Sequence, residues 1–220
     1  ALERLEFLTK DHPNRFITTE VGQHQMWAAQ YLGFEDPHRW MTSGGLGTMG
    51  YGVPASVGVQ VAHNDGLVIN IAGEASWLMN MQEMGTCTQY NLPAKQFILN
   101  NERLGMVRQW QELLHGERYS NSWSESLPDF VKLAEVYGIK SVHATKDNYK
   151  EIINLALQES GSILVNVIID REQKLTPKLE FGNPLEDMSP YLTDNQIKEN
   201  MTVDMIPRRD NSQGWVTLEK

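Results

Sequence analysis

The chain has 220 residues, of which 40% are hydrophobic and 21% charged, and its formal net charge is −9 at pH 7. This length and composition are enough to bury the core of one large domain, or of one and a half ordinary ones. The acidic balance includes no basic block, which excludes nucleic acid as the main partner, and no apolar run approaches the roughly 18 residues that span a membrane.

The cysteine count and the start of the chain bear on where the protein resides. The single Cys87 excludes an internal disulfide framework and predicts a reducing compartment such as the cytoplasm. The chain starts at Ala1 without an initiator Met or a signal-peptide pattern, so we expect a processed chain or a part of a longer polypeptide.

Short apolar runs alternate with segments of helical composition along residues 1–170, often with Gly or Pro between them. This alternation predicts an α/β domain, a doubly wound parallel sheet with helices on both faces. The predicted strands are 16–21, 67–71, 97–99, 141–143 and 162–169. The predicted helices are 2–10, 23–32, 53–62, 77–90, 129–137 and 148–158, with a loop that leads into a further helix over 103–114.

Residues 171–220 have a different texture from the rest of the chain. They hold four of the nine prolines and show no sustained periodicity. This composition predicts an extended C-terminal arm with at most one short helix, near 194–200.

Five glycines lie within the nine residues Gly44–Gly52, and Gly45–Gly50 spells the G-x-G-x-x-G dinucleotide fingerprint. The fingerprint needs a strand before it and an acidic residue about 20 positions beyond it. Residues 39–43, which precede the glycines, make a poor strand. The position 20 residues beyond Gly50 is Asn70, which is not acidic. A glycine turn before a tightly packed helix fits better than a nicotinamide site. A third alternative is that the glycines let the backbone lie against a flat organic ligand.

Polar residues follow two predicted strands that are consecutive along the chain. Gly73-Glu74-Ala75-Ser76 comes after the strand at 67–71, and Asn100-Asn101 comes after the strand at 97–99. Taken alone, Ser76 is an ordinary helix N-cap and Glu74 a carboxylate that favours the helix dipole. Because ligands bind at the carboxyl edge of a parallel sheet, Glu74 and Asn101 together predict a site for a hard cation such as Mg²⁺. A backbone carbonyl would complete its protein ligands, and the cation would bridge to phosphate oxygens.

His24 follows the predicted strand at 16–21 and therefore lies at the same edge of the sheet. A lone histidine is usually a satisfied polar residue, but at a strand end beside a helix start its ring N–H can donate to a phosphate. Met106 and Trp110 are more often core than pocket residues, and only their neighbours make them pocket candidates.

Three stretches together resemble the thiamine diphosphate enzymes, and most closely acetolactate (acetohydroxyacid) synthase. They are Val21–Gln30 (VGQHQMWAAQ), Ser43–Gly52 (SGGLGTMGYG), and Asn100-Asn101 with Leu104–Trp110 (LGMVRQW). Their order and spacing match the family over roughly residues 15–170. The resemblance is to the C-terminal, diphosphate-binding third of that enzyme. The family's pyrimidine-binding domain and its middle, FAD-associated domain are not in this chain.

The resemblance implies thiamine diphosphate and Mg²⁺ as cofactors, with FAD as a further candidate in the full-length enzyme. It implies that Glu74, Asn101 and the backbone carbonyl of Arg103 hold Mg²⁺. It places Met49 where the family has the apolar prop that bends the cofactor, and Trp110 at the mouth of the substrate channel. The other residues that would line the cofactor are Val21, Gly22, Gln23, His24, Gly47, Gly73, Ala75, Ser76, Leu104, Gly105, Met106 and Val107.

The chain departs from the family pattern at three places. The family signature begins Gly-Asp-Gly, whereas this chain has Gly73-Glu74-Ala75. Arg103 stands where His is common, which is tolerable where only its carbonyl coordinates. The arm after Asp170 departs most from the ending of the family.

The implied reaction joins two 2-oxo acids, such as pyruvate, with loss of CO₂, in branched-chain amino-acid synthesis. Alternatives are another thiamine diphosphate carboligase, decarboxylase or acyltransferase, such as a sulfoacetaldehyde acetyltransferase, or a non-catalytic paralogous domain. The family's activating Glu lies on the pyrimidine domain, normally of a neighbouring subunit, so no catalytic residue is expected in this chain. We therefore expect the chain alone to be inactive and the working form to be a homo-oligomer, with a regulatory subunit left open.

Overall fold

Six parallel strands form the central sheet in the computed structural model, which describes residues 1–179, 188–189 and 193–200. The strand order is β2-β1-β3-β4-β6-β5, so the predicted parallel α/β fold is confirmed. The strands are β1 (Arg15–Thr19), β2 (Trp40–Met41), β3 (Leu67–Gly73), β4 (Lys95–Asn100), β5 (Lys140–Ala144) and β6 (Ile163–Ile168). The helices are α1 (Leu2–Thr9), α2 (Gln23–Tyr31), α3 (Gly52–Ala62), α4 (Glu74–Met79), α5 (Met84–Tyr90), α6 (Gly105–Leu114), α7 (Phe130–Val136) and α8 (Tyr149–Gln158).

The direction of the connections reverses between β1 and β3. From β1 the chain moves outward to the edge strand β2, whereas from β3 it moves the other way to β4. A parallel sheet opens a crevice at the carboxyl ends of two strands whose connections diverge in this way. The strand order therefore predicts a ligand site at the carboxyl ends of β1 and β3.

Helices cover both faces of the sheet, and the alternation of side chains along the strands decides which residues face each layer. Ala72, Ile98 and Leu164 lie on one face, in a fully buried cluster that also contains Trp77 of α4 and Phe130 of α7. The rings of Trp77 and Phe130 meet edge to face at 5.9 Å. On the other side, α1 packs against α2 and α8.

Buried polar side chains cross the middle of the sheet and are hydrogen bonded to one another. Thr18 donates to Asn70 Oδ1 at 3.0 Å, and Asn70 donates to Gln96 Oε1 at 2.8 Å. Gln96 in turn donates to Ser56 of α3 at 3.0 Å. An unpaired polar group in a core is costly. This network therefore favours one register of β1, β3 and β4 and one packing position of α3 on these strands.

Two predicted elements differ in the structure. Residues 77–90, predicted as one helix, are divided between α4 and α5 by Asn80 and a 3₁₀ turn at Met81–Glu83. Asn80 has φ −135° and ψ 30°, and its side chain donates to Gly50 O at 2.6 Å. Residues 39–43, read as a poor strand, contain the two-residue edge strand β2, which pairs with β1. Neither difference has a local sequence signal, because both depend on contacts with distant residues.

The chain divides into two compact units, residues 1–174 and 175–220. In the second unit, β7 (Lys178–Leu179) pairs antiparallel with β8 (Met188–Ser189), and α9 spans Asp194–Asn200, where the short helix was predicted. Residues 180–187, 190–192 and 201–220 of the predicted arm lie outside the described residues. Among the helices of the described residues, none combines the length and apolar character needed to cross a bilayer.

Candidate functional site

A pocket lies at the carboxyl ends of β1, β3 and β4, where the strand order predicts a ligand site. It is closed on its sides by the first residues of α2, α4 and α6 and has a volume of ≈ 80 Å³. It brings together all the residues predicted to line the cofactor except Gly47. The lining residues are Val21, Gly22, Gln23, His24, Trp27, Met49, Gly73, Glu74, Ala75, Ser76, Leu99, Asn101, Arg103, Leu104, Gly105, Met106 and Val107.

Glu74 is the first residue of α4 and is 2% exposed. Within the part of the chain that the structure describes, its Oε1 atom has no hydrogen-bond partner. Burial raises the pKa of Glu74 to about 7, and the backbone N–H groups of Glu74 itself, Asn101 and Arg103 oppose that rise. The Glu74 carboxylate therefore lies beside the chain at Asn101 and Arg103 with one buried oxygen unpaired.

Gln23 links the start of α2 to the loop after β4. Asn101 Nδ2 donates to Gln23 Oε1 at 3.1 Å, and Gln23 Nε2 donates to Gln109 Oε1 at 3.0 Å. The Asn101 Oδ1 atom accepts the backbone N–H of Arg103 at 3.2 Å, which turns the loop back toward Glu74. A methyl group at Gly105 would collide with Gln23 Oε1 and lie 2.9 Å from Asn101 Nδ2, so a larger residue here would displace the Gln23 side chain from Asn101.

His24 lies between two glycines at the ends of β1 and β3. A Cβ atom on Gly22 would be 2.8 Å from His24 Cε1, and one on Gly73 would be 2.7 Å from His24 Nδ1. Burial lowers the pKa of His24 to about 3, partly offset by a hydrogen bond to the backbone of Glu20. The Nε2 atom of this neutral ring is buried and has no partner among the described residues.

The donor set fits a magnesium diphosphate. Mg²⁺ keeps several waters and takes one or two carboxylates plus phosphate oxygens, rather than a cage of protein ligands. Glu74 supplies a buried, unpaired carboxylate oxygen, and Asn101 and Arg103 lie beside it. No cluster of three His, Cys, Asp or Glu side chains suited to a metal occurs in residues 1–179, 188–189 or 193–200.

The two departures beside Gly73 are accommodated by the backbone. Ala75 lies inside α4, and its φ is not positive, so an L-residue fits here without strain. Glu74 is also inside the helix, and its extra methylene still leaves the carboxylate at the backbone of Asn101 and Arg103.

The glycine loop contributes Met49 to the pocket. Gly47 does not line it, but a Cβ on Gly47 would lie 3.8 Å from a methyl group of Val21, so this glycine borders the pocket wall. Gly47 and Gly50 have φ values of 66° and 87°, which favour glycine. The alternative of a glycine turn before a tightly packed helix agrees with α3, which begins at Gly52.

Trp110 lies outside the pocket and lines a separate, open cavity on the outer side of α6. Met106 and Val107 line both cavities, so Trp110 is next to the pocket through them. Its side chain is 47% exposed. A role for Trp110 at the mouth of a substrate channel stays a prediction.

Three residues of the site were not predicted from the sequence. Trp27 and Leu99 line the pocket and also a larger cavity of ≈ 420 Å³ on the other side, so they form the wall between the two. Trp27 lies within a stretch that resembles the family, which was a usable signal. Glu20, at the end of β1, is fully buried, and its carboxylate accepts two backbone N–H groups of the glycine loop and α3.

Comparison with known proteins agrees with this geometry. The family model described as "Thiamine pyrophosphate enzyme, C-terminal TPP binding domain" matches residues 20–167. The chain is 47% identical over 171 residues to an acetolactate synthase large subunit of Pyropia yezoensis, covering 77% of the chain and 29% of that protein. It is 45% identical over 173 residues to the acetolactate synthase isozyme 2 large subunit of Escherichia coli, covering 78% of the chain and 32% of that protein. It is 42% identical over 190 residues to the mitochondrial acetolactate synthase catalytic subunit of Saccharomyces cerevisiae, covering 84% of the chain and 27% of that protein. The chain thus spans less than a third of the length of these curated relatives.

Proposed function

The chain belongs to the thiamine pyrophosphate enzymes as a C-terminal cofactor-binding domain, and from this premise we propose that it holds the diphosphate and Mg²⁺ of thiamine diphosphate in an acetolactate synthase. One observation carries the proposal. Two buried polar atoms, Glu74 Oε1 and His24 Nε2, line one pocket without a partner among the described residues. Because an unpaired buried polar group is costly, a ligand that meets both is favoured.

The two orphan atoms suit the two parts of a magnesium diphosphate. The Glu74 carboxylate, the Asn101 amide oxygen and the Arg103 carbonyl would hold Mg²⁺. Donation from His24 Nε2 to a diphosphate oxygen would need the ring proton on Nε2, either through the tautomer that gives up the bond to the Glu20 backbone or through protonation of the ring beside the diphosphate charge; Gln23 lies beside it at the start of α2. The backbone N–H groups at the start of α6 favour an anion through the helix dipole.

Bound thiamine diphosphate supplies the carbanion chemistry that decarboxylates a 2-oxo acid and passes the remaining fragment to an acceptor. The residues of this chain would anchor, orient and shield that group. Met49 and the start of α6 (Leu104, Met106 and Val107) would form its apolar wall, and Trp110 would stand toward the incoming substrate. The proposed substrates are two 2-oxo acids, with pyruvate as the donor.

The pocket is too small for a whole cofactor. Its ≈ 80 Å³ compares with the roughly 300–1,000 Å³ of pockets that enclose drug-sized ligands. We therefore propose that another domain closes the site and brings the activating carboxylate, in an assembly of at least two full-length chains. The chain alone would then bind the diphosphate part but form no product, and acetolactate formed from pyruvate by the purified 220-residue chain would contradict this.

Calorimetric titration of the chain tests the binding proposal. Thiamine diphosphate with Mg²⁺ should bind, thiamine with Mg²⁺ should not, and inorganic pyrophosphate with Mg²⁺ should compete. Glu74→Ala should remove the binding, whereas Asp65→Asn, an exposed carboxylate at the opposite edge of the sheet, should leave it unchanged. Equal affinity of wild type and Glu74→Ala would remove Glu74 from the site.

Alternatives within the family differ in acceptor substrate and not in this pocket. A different carboligase, decarboxylase or acyltransferase, such as a sulfoacetaldehyde acetyltransferase, would bind the same cofactor. Product analysis of the assembled enzyme with pyruvate, alone and with candidate acceptors, separates these. A non-catalytic paralogous domain would fail the titration, and the orphan atoms of Glu74 and His24 favour the binding domain.

Further partners and the location stay proposals. FAD and a regulatory subunit would belong to the full-length assembly. A reducing location such as the cytoplasm is proposed on the single Cys87, which is buried and free.

A further inference from the structure

Glu20 is a buried carboxylate that the proposed metal and diphosphate contacts do not use. It follows β1 directly and has no exposed surface. Its Oε2 accepts the backbone N–H of Gly50 at 2.6 Å and its Oε1 accepts that of Val53 at 3.1 Å. No ion pair reaches Glu20 in the described part of the chain, so backbone N–H groups are what compensate its burial.

The simplest role for Glu20 is that of a remote cap on α3. The residue before the helix, Tyr51, makes no side-chain cap, and Pro54 in the first turn has no N–H. The carboxylate satisfies N–H groups that would otherwise be unpaired, and the helix dipole favours its charge. This role explains the bond to Val53 but not the one to Gly50, which lies before the helix.

Gly50 is held on both sides, which a helix cap does not require. Glu20 accepts its N–H, and Asn80 Nδ2 donates to its carbonyl at 2.6 Å. A Cβ at Gly50 would be 2.9 Å from Asn80 Nδ2 and 3.1 Å from Met79 Cβ, so this backbone is closely packed as well. Asn80 lies between α4 and α5. The interruption between these two helices therefore places the Asn80 side-chain donor next to the glycine loop.

The rest of the loop has little packing of its own. Gly44 and Gly45 are exposed, and Leu46 is 96% exposed. The N–H of Thr48 bonds to Ser43 Oγ at 2.9 Å, which closes the loop on itself. Met49, half-buried and lining the pocket, therefore sits between a self-closed turn and the doubly held Gly50.

We infer that Glu20 and Asn80 are positioning residues that hold Met49 against the organic part of the cofactor by fixing the two peptide groups around Gly50. The identity of that ligand rests on the proposed function. The anchoring itself is a property of the metal-free chain. Glu20 precedes α2 and Asn80 follows α4, the helices whose first residues would hold the diphosphate and Mg²⁺, so residues next to those helices also set the position of the apolar prop.

Three variants test the inference, namely Glu20→Gln, Asn80→Ala and a control at the other end of α3. The control is Gln60→Leu, because Gln60 is fully buried and donates to His63 O and Gly66 O at 3.0 Å each, in a turn at the opposite edge of the sheet. The substitutions in Glu20 and Gln60 thus both disturb buried polar contacts of one helix. Only the first disturbs the contacts around Met49.

The first readout uses the metal-free chain with ¹³C-methyl methionine, where Met49→Leu identifies the Met49 signal. Glu20→Gln and Asn80→Ala should shift that signal. Glu20→Gln should also speed hydrogen exchange of the Gly50 N–H by about tenfold, since a hydrogen bond to a charged group is lost. Gln60→Leu should leave both unchanged although it lowers the melting temperature.

The second readout compares two ligands, thiamine diphosphate and inorganic pyrophosphate, each with Mg²⁺. Glu20→Gln and Asn80→Ala should weaken the binding of thiamine diphosphate by about tenfold and that of pyrophosphate by less than about twofold, because Met49 would contact only the organic part of the cofactor. Equal weakening of both ligands, or an unchanged Gly50 exchange rate in Glu20→Gln, would overturn the inference. A wild type that binds neither ligand would instead refute the proposed function, and the exchange rate and methyl signal would still decide the anchoring.

Discussion

Two buried carboxylates end neighbouring strands, and they differ in what their oxygens meet. Glu20 follows β1, and both of its oxygens accept backbone N–H groups. Glu74 follows β3, and its Oε1 has no partner in the described residues. Burial raises the pKa of both, to about 6 for Glu20 and to about 7 for Glu74. In each case hydrogen bonds from backbone N–H groups oppose the rise in pKa. Neither carboxylate forms an ion pair within the described residues.

The difference separates an architectural carboxylate from a ligand-binding one. A buried charge destabilises the fold unless it is fully paired. The oxygens of Glu20 are paired by the chain itself, so its burial fixes a loop. Glu74 Oε1 has no partner among the described residues, which is expected where a cation completes the site. Burial and pKa direction alone would not distinguish the two.

The largest expected effect is on cofactor affinity. Glu74→Gln keeps the shape but removes the charge, so it should weaken thiamine diphosphate with Mg²⁺ by at least about a hundredfold, since even indirect metal contacts are worth 10–100-fold. The matched Glu20→Gln should cost about tenfold. Calorimetry at one Mg²⁺ concentration measures both. Equal losses of affinity in the two variants would contradict the assignment of Glu74 to ligand binding and of Glu20 to the architecture of the loop.

The same variant should have the opposite effect on the stability of the metal-free chain. The pKa of Glu74 rises from 4.5 to about 7 on folding, so the folded state binds the proton more tightly. Stability is therefore lost as the pH rises from 4.5 through 7, by roughly 3 kcal/mol at most. Urea unfolding should show that Glu74→Gln is more stable than wild type at pH 8 and no more stable at pH 4. Glu20→Gln should show no such gain, because one backbone N–H loses its acceptor.

Alanine substitutions at two glycines, Gly105 and Gly58, test whether the hydrogen bond between Gln23 and Asn101 supports the pocket. Gly105→Ala should displace Gln23 from Asn101, destabilise the chain by about 1–2 kcal/mol and weaken cofactor binding by about tenfold. Gly58→Ala, inside α3 with open space around it, should instead stabilise by about 0.5–1 kcal/mol and leave binding unchanged. Loss of binding without loss of stability in Gly105→Ala would indicate direct contact with the ligand.

The smallest effect is expected at His24, which lies between the ends of the two strands. Its pKa falls from 6.5 to about 3 because the ring is buried, so the ring stays neutral at every pH above that. Its contribution to stability is fully present above pH 6.5 and is lost as the pH falls toward 3. Ring signals in NMR spectra should not move between pH 5 and pH 8. A titration midpoint in that range would mean that His24 meets a charged partner.

Much of the fold follows from local patterns in the sequence. The apolar runs at 67–71 and 162–169 became β3 and β6, because a strand buried on both faces must be apolar almost throughout. Several site residues were predictable for a related reason. Polar side chains that end parallel strands share one edge of the sheet, so the sequence predicts that Glu74 and Asn101 lie close together. Sequence reasoning also placed His24 at that edge.

Other features depend on contacts between residues far apart in the chain. Asn80 interrupts a helix of good propensity because it reaches Gly50, 30 residues away. The strand at Trp40–Met41 exists because β1 offers a free edge to pair with. Glu20 reads in the sequence as a polar residue after a strand, and nothing local shows that its oxygens meet Gly50 and Val53.

The fold class, the cofactor family and the residues that gather at one edge of the sheet follow from the amino-acid sequence. Periodicity and strand-end chemistry are local properties, and local properties can be read along a chain. Which of the two buried carboxylates has both oxygens paired, and which keeps one oxygen for a ligand, depends on the folded chain. That distinction depends on whether backbone N–H groups from remote segments reach each oxygen, and a linear sequence does not contain those distances.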